Sequence, residues 1–181
     1  SANLLPVCYN LHVMEENLGT FDAFCRIIAK LRSPDGCPWD RKQTHESLKP
    51  YLIEEAYETL QTLDDGDTEK LCEELGDLLL QIGLHAQIAE ESGEFEMSDI
   101  LRHINEKLIR RHPHVFGDVE VADENEVRLN WEEIKRSEGK VEKSLLDGIP
   151  KGIPALAYSQ IMQQRASRIG FDWNNIDGVL D

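Results

Sequence analysis

"YLIEEAYETL" (Tyr51–Leu60) and "LCEELGDLLL" (Leu71–Leu80) decide how this chain folds. Each has helical spacing and enough Leu, Ile and Ala to bury itself, yet together they carry six acidic side chains. At about 100° per residue, Leu52, Ile53, Ala56, Leu60 and Leu63 fall on one side of the first segment, with Glu54, Glu55 and Glu58 on the other. Taken alone, that is what a solvated acidic face looks like. The second segment differs. Leu71, Leu75, Leu78 and Ile82 line one flank and Leu79, Leu80 and Leu84 the others, which leaves Glu74, Asp77 and Gln81 as a narrow polar stripe. A helix that is apolar nearly all round is normally buried. Buried carboxylates cost on the order of several kcal/mol each unless cations or a metal compensate them.

No Lys or Arg occurs between Lys70 and Arg102 to serve as a local partner. The connecting "DDGD" (Asp64–Asp67) is a short turn, so the two helices should pack antiparallel and their acidic faces can meet. Four or five converging carboxylates suit a hard divalent cation such as Mg²⁺, which takes oxygen ligands and commonly bridges to substrate phosphates. A di-iron carboxylate bundle also places Glu on facing helices, but it needs Glu-x-x-His. None of the six histidines has Glu three residues before it, which disfavours iron.

Helical periodicity extends outward from this pair. Thr20 can cap a first helix with Phe21, Phe24, Ile27, Ile28 and Leu31 on one face. "SPDGCPWDRKQ" (Ser33–Gln43) is a loop, and Pro50 suits the first turn of the second helix, which reaches about Leu63. The third helix spans about Thr68 to Glu91. Ser98 can cap a fourth, stopped by Pro113 near His112, and Asp123 with Glu126 makes a capping-box-like start for a fifth. "DGIPKGIP" (Asp147–Pro154) reads as a linker before a last helix from about Ala155 to Ile169. Short loops between antiparallel helices predict an all-α antiparallel bundle. The third helix has more apolar circumference than one neighbour covers, so dimerisation should complete the bundle. The expected organisation is a leader over 1–17, a main helical domain carrying the acidic pair over 18–139, and a linker and helix over 140–181.

Composition narrows the partners. Nineteen basic residues against 35 acidic ones give a formal charge of −16, which disfavours nucleic acid and anionic membrane. Cys8, Cys25, Cys37 and Cys72 are scattered without a C-x-x-C pair, so neither a disulfide framework nor a zinc site is expected. No apolar run approaches the roughly 20 residues of a membrane span, and the start lacks the pattern of a signal peptide. The expected setting is the cytoplasm.

The acidic blocks, together with "GCPWD" (Gly36–Asp40), "QTHESL" (Gln43–Leu48), "ELGDLLLQ" (Glu74–Gln81), "KLIRRHPHVFGD" (Lys107–Asp118) and "NWEEIKRSE" (Asn130–Glu138), resemble the signature of MazG-type nucleoside triphosphate pyrophosphohydrolases. The resemblance covers roughly Leu18 to Gly139. It implies an all-α enzyme dependent on Mg²⁺, with Mn²⁺ as a substitute, that cuts nucleoside triphosphates to a monophosphate and pyrophosphate. It implies metal ligands at Glu55, Glu58, Glu74 and Asp77, with Glu54 placed to orient or deprotonate the attacking water. It also implies a dimer or higher oligomer. "GIPALAYSQIMQQRASRIGFDW" resembles the segment joining two such units in tandem members of the family, and no second acidic motif follows it before Asp181.

Lys107, Arg110 and Arg111 form the densest basic stretch and could grip a triphosphate. They could equally complement the C-terminal end of a helix stopped by Pro113. Trp39 could stack on a base or simply anchor its loop. Trp131, with Lys135 one turn on, falls in a region that relatives place near the nucleotide. Cys72 and Gly76 read as small residues permitting close helix approach. Three readings compete: a general nucleotide house-cleaning pyrophosphohydrolase, a relative narrowed to dUTP or a modified nucleotide, and a non-catalytic assembly or regulatory domain.

Overall fold

A computed structural model describes residues 17–138, 147–167 and 169–171. The proposed leader up to residue 16, Cys8 within it, residue 139 at the end of the expected domain, the start of the linker (140–146) and the final ten residues lie outside the described part. The elements are α1 (Phe21–Arg32), α2 (His45–Asp65), α3 (Thr68–Glu91), α4 (Met97–Arg111), α5 (Pro113–Phe116), α6 (Glu124–Ser137) and α7 (Ala155–Ser167), with a short 3-10 turn at Asp40–Lys42. No strand occurs among the described residues, so the all-α expectation holds. The chain forms two compact units whose boundary falls between Glu106 and Lys107, inside α4.

In the first unit, α2 and α3 form an antiparallel hairpin and α1 packs on α3. The hairpin turn follows from its residues. Gly66 ends α2 in the left-handed region (φ 69°), where a side chain would be strained, and its N–H returns to the carbonyls of Leu63 and Thr62. Asp67 then caps α3 by accepting from the Lys70 N–H. A core of Ile28, Leu48, Leu84 and Ile88, supported by Phe24, Leu31 and Leu80, sits where α1 meets the far end of the hairpin.

Several local expectations need correction. Pro50 is not in the first turn of α2, which begins at His45 with Thr44 as its cap: the Thr44 hydroxyl accepts from the Ser47 N–H while Ser47 reaches back to the Thr44 N–H. This reciprocal cap starts the helix early enough to carry Pro50 inside it, at the loss of one backbone bond. The fourth helix starts at Met97, and the Asp99 carboxylate, not Ser98, accepts from the Glu96 N–H ahead of it. Cys72 and Gly76 are exposed, and a Cβ added at Gly76 would meet nothing within 4 Å. The close approach belongs instead to Gly83, whose added Cβ would fall 2.6 Å from the Phe24 ring.

The largest correction concerns α2. Ile53, Leu60 and Leu63, expected inside, are each more than half exposed, while Thr59 and Thr62 are buried. Their hydroxyls donate to the carbonyls of Glu55 and Thr59, so each is satisfied within its own helix. The seam of α2 therefore runs Leu48, Leu52, Glu55, Thr59, Thr62, a three-four spacing that faces α3. The apolar strip of α2 (Ile53, Tyr57, Leu60, Leu63) and that of α3 (Leu75, Leu79, Ile82) are left exposed.

Candidate active site

On α3 the seam runs Glu74, Asp77, Gln81, Leu84 and Ile88, so its polar half lies near the hairpin turn and its apolar half near the core. Glu74 is only 6% exposed, and Asp77 is half-buried. The stripe thus points inward, although Leu75, Leu79 and Ile82, expected to be buried around it, are exposed. One carboxylate oxygen from each of Glu55, Glu58 and Glu74 lies within 4.8 Å of the others. Asp77 falls outside that triad but is the leading charge acting on Glu55. Burial, then Asp77, Glu58, Glu54 and Glu74, push the Glu55 carboxyl above its ordinary value. Glu54 is exposed beside it.

Such a group repels itself. The cation found beside it is Lys70, one turn before Glu74 on the same helix, at a loose 3.7 Å and itself mostly exposed. A contact beyond hydrogen-bond length, from a lysine whose own side chain stays largely in water, compensates the nearly buried Glu74 little. Oxygen donors that converge, with one nearly buried and almost no compensating charge, fit a hard divalent cation held by Glu55, Glu58, Glu74 and Asp77. One turn beyond Asp77, the Gln81 amide oxygen is buried with no hydrogen-bond partner among the described residues.

Two contacts that the sequence did not reveal hold the loop before α2. Arg32, at the end of α1, forks onto the Glu91 carboxylate of α3 with contacts of 2.9 and 2.7 Å. Its remaining nitrogen donates to the carbonyls of Asp40 and Gln43, tying α1, the loop and α3 together. Trp39, about half exposed, meets the Tyr51 ring edge-on at 5.9 Å between centroids. Tyr51, four residues before Glu55, had given no signal beyond its place in the acidic helix.

The remaining nominated residues lie in the second unit. Arg111 is buried, forks onto Glu138 and lies over the Trp131 ring at 5.2 Å. Arg110 also donates to Glu138. Arg111 first, then Arg110, hold the Glu138 carboxyl down to about 2. His112 also meets the Trp131 ring, edge-on at 5.1 Å between centroids. Arg111 and Trp131 therefore have a packing role within their own unit. Lys107 is half-buried and makes no ion pair among the described residues, and Lys135 is half-buried on α6 with an interaction of its own.

Residues 43–116 match the family model described as the MazG nucleotide pyrophosphohydrolase domain. A Thermotoga maritima protein named nucleoside triphosphate pyrophosphohydrolase/pyrophosphatase MazG is 51% identical over 89% of this chain and 62% of its own length. The Escherichia coli K12 nucleoside triphosphate pyrophosphohydrolase is 43% identical over 91% of this chain and 64% of its length. An uncharacterized Bacillus subtilis protein, YabN, is 52% identical over 90% of this chain but only 34% of its own. The chain thus spans about a third to just under two thirds of the length of these relatives. Among solved structures, a mazG-related protein from Thermotoga maritima superposes with a TM-score of 0.55 at 28% identity, covering 64% of this chain and 98% of that one. Among the described residues, no helix is long and apolar enough to cross a membrane.

Proposed function

From the match of residues 43–116 to the MazG nucleotide pyrophosphohydrolase family model, we propose that this chain hydrolyses nucleoside triphosphates to a nucleoside monophosphate and pyrophosphate, as part of nucleotide-pool house-cleaning in the cytoplasm. The observation that carries this reading is the convergence of Glu55, Glu58 and Glu74, with oxygens within 4.8 Å of one another: Glu74 nearly buried, Glu55 half-buried and Glu58 exposed.

Glu55, Glu58, Glu74 and Asp77 would hold Mg²⁺, with Mn²⁺ able to take its place. When bound, the cation supplies neutralisation of phosphate charge and a more acidic water. The chain's own residues do the rest. The packing of α2 on α3 fixes the carboxylates before substrate arrives, so little reorganisation remains. Glu54, exposed beside Glu55, accepts a proton from the attacking water. As the water oxygen bonds to the α-phosphorus, the bond from that phosphorus to the bridging oxygen breaks, and pyrophosphate leaves.

Trp39 with Tyr51 offers an exposed aromatic surface for a base. Among the basic residues nominated for the triphosphate, Lys107 is the strongest candidate. Arg110 and Arg111 already serve Glu138, and Arg111 could fork a phosphate only by releasing it. The exposed strips of α2 and α3 support self-association into a homodimer or higher oligomer that buries Ile53, Leu60, Leu75 and Leu79.

The test is a panel of ribo- and deoxynucleoside triphosphates with Mg²⁺, assayed for pyrophosphate against orthophosphate. Pyrophosphate with an equal yield of monophosphate is expected. Orthophosphate alone, or no turnover of any triphosphate, would overturn the reading.

A further inference from the structure

The polar seam of α3 does not end at Gln81. One turn later His85 meets His45, in the first turn of α2, with their Nδ1 atoms 2.7 Å apart. The ring planes lie within 5° of parallel and the centroids are 5.0 Å apart. The centre-to-centre distance exceeds the N···N distance by about two ring radii. Both nitrogens therefore lie near the line between the ring centres, and the rings meet nitrogen to nitrogen rather than face to face. A metal bridging that line would need about 4 Å, twice a metal–imidazole bond of about 2.0–2.1 Å. The observed gap admits a proton and excludes a metal.

We propose that His45 and His85 form a single-proton clasp that locks the first turn of α2 to α3 and opens when both rings are protonated. One ring donates its Nδ1–H and the other accepts on a bare Nδ1 while carrying its own proton on Nε2. A first added proton enters at the donor's Nε2 and leaves the bond intact. A second can enter only at the accepting Nδ1, where it puts two N–H groups and two positive charges face to face. His85 is the accepting ring in this assignment. Burial first, and His45 second, hold its pKa below the ordinary 6.5.

Glu46 and Lys49 of α2 pair with each other, and Arg32 of α1 pairs with Glu91 of α3. None of these figures among the influences on His85. The clasp sits beside Leu48 and Leu84, the apolar end of the hairpin, and away from the acidic triad. It is thus a device separate from the proposed chemistry and independent of it.

Its sign follows from linkage. A histidine with a depressed folded-state pKa contributes stability that is complete above about 6.5 and is lost as pH falls through the depressed value. The experiment is an NMR titration of the imidazole nitrogens in the full chain, with urea melts of wild type and His85→Gln between pH 7 and 5. In wild type, His85 should carry its proton on Nε2 and titrate below 6.5. His45→Gln should bring the His85 midpoint partway back. His85→Gln should lose less stability than wild type as pH falls. A His85 proton on Nδ1 in wild type, or the same His85 midpoint in wild type and His45→Gln, would overturn the clasp. The wild-type tautomer decides the matter even if neither variant folds.

Discussion

The two ends of the α2–α3 hairpin share a backbone plan and differ in what fills it. Both carry seam residues at three-four spacing. At the end near α1 these are Leu48, Leu84 and Ile88, with Leu48 fully buried. At the end near the turn they are Glu55, Glu74 and Asp77, whose charges act against one another. The apolar end lowers the free energy of folding and the acidic end raises it. A helix pair selected only for stability would continue with Leu. Carboxylates kept in a seam that apolar residues would fill better are the ground for proposing a cation that offsets their repulsion.

The difference between the ends can be broken from either side. The largest expected effect is at the acidic end. Glu74→Gln or Asp77→Asn should lower kcat/KM by on the order of 10³-fold, since several kcal/mol of charge stabilisation depend on the ligand set. The melting temperature of the metal-free protein should stay level or rise, because repulsion is relieved. Steady-state kinetics beside a thermal melt on the same sample checks both halves of that claim. Leu84→Ala should do the reverse, costing about 3 kcal/mol in urea denaturation while leaving the Mg²⁺ response of the folded fraction intact.

A smaller effect sharpens the electrostatic part. A raised Glu55 pKa means the folded, metal-free protein binds more protons than the unfolded chain just above 4.5. Its contribution to stability is complete below that value and is lost as pH rises through the raised pKa. Glu55→Gln lacks this loss, so it should gain on wild type as pH rises from about 4.5 and run parallel to it below. Chemical denaturation in the presence of a chelator measures the difference.

Much of this contrast was legible in the residues. The inward direction of Glu74 and Asp77 followed from the leucines around them, and the meeting of the two acidic faces from the shortness of "DDGD". The seam of α2 was harder. Ile53, Leu60 and Leu63 were strong apolar signals, yet buried threonines that bond to their own helix took the inner positions, a choice that hydrophobicity does not encode. Long-range pairs were the least visible. Arg32 with Glu91 and His45 with His85 are separated by 59 and 40 residues. Nothing in their local spacing announces a partner. The "RRHP" stretch was legible as charge but not as packing, because Glu138, which engages both arginines, arrives with the far end of α6.

The measurement that bears most directly on the acidic end is the shift in melting temperature on adding Mg²⁺, made in parallel on wild type and Glu74→Gln. A cation that binds only the folded state raises stability by RT ln(1 + [Mg²⁺]/Kd), so the wild-type melting point should climb with concentration and the variant's should stay nearly flat. Equal shifts in the two proteins, or none in wild type at millimolar Mg²⁺, would contradict the claim that the carboxylates are kept for a metal.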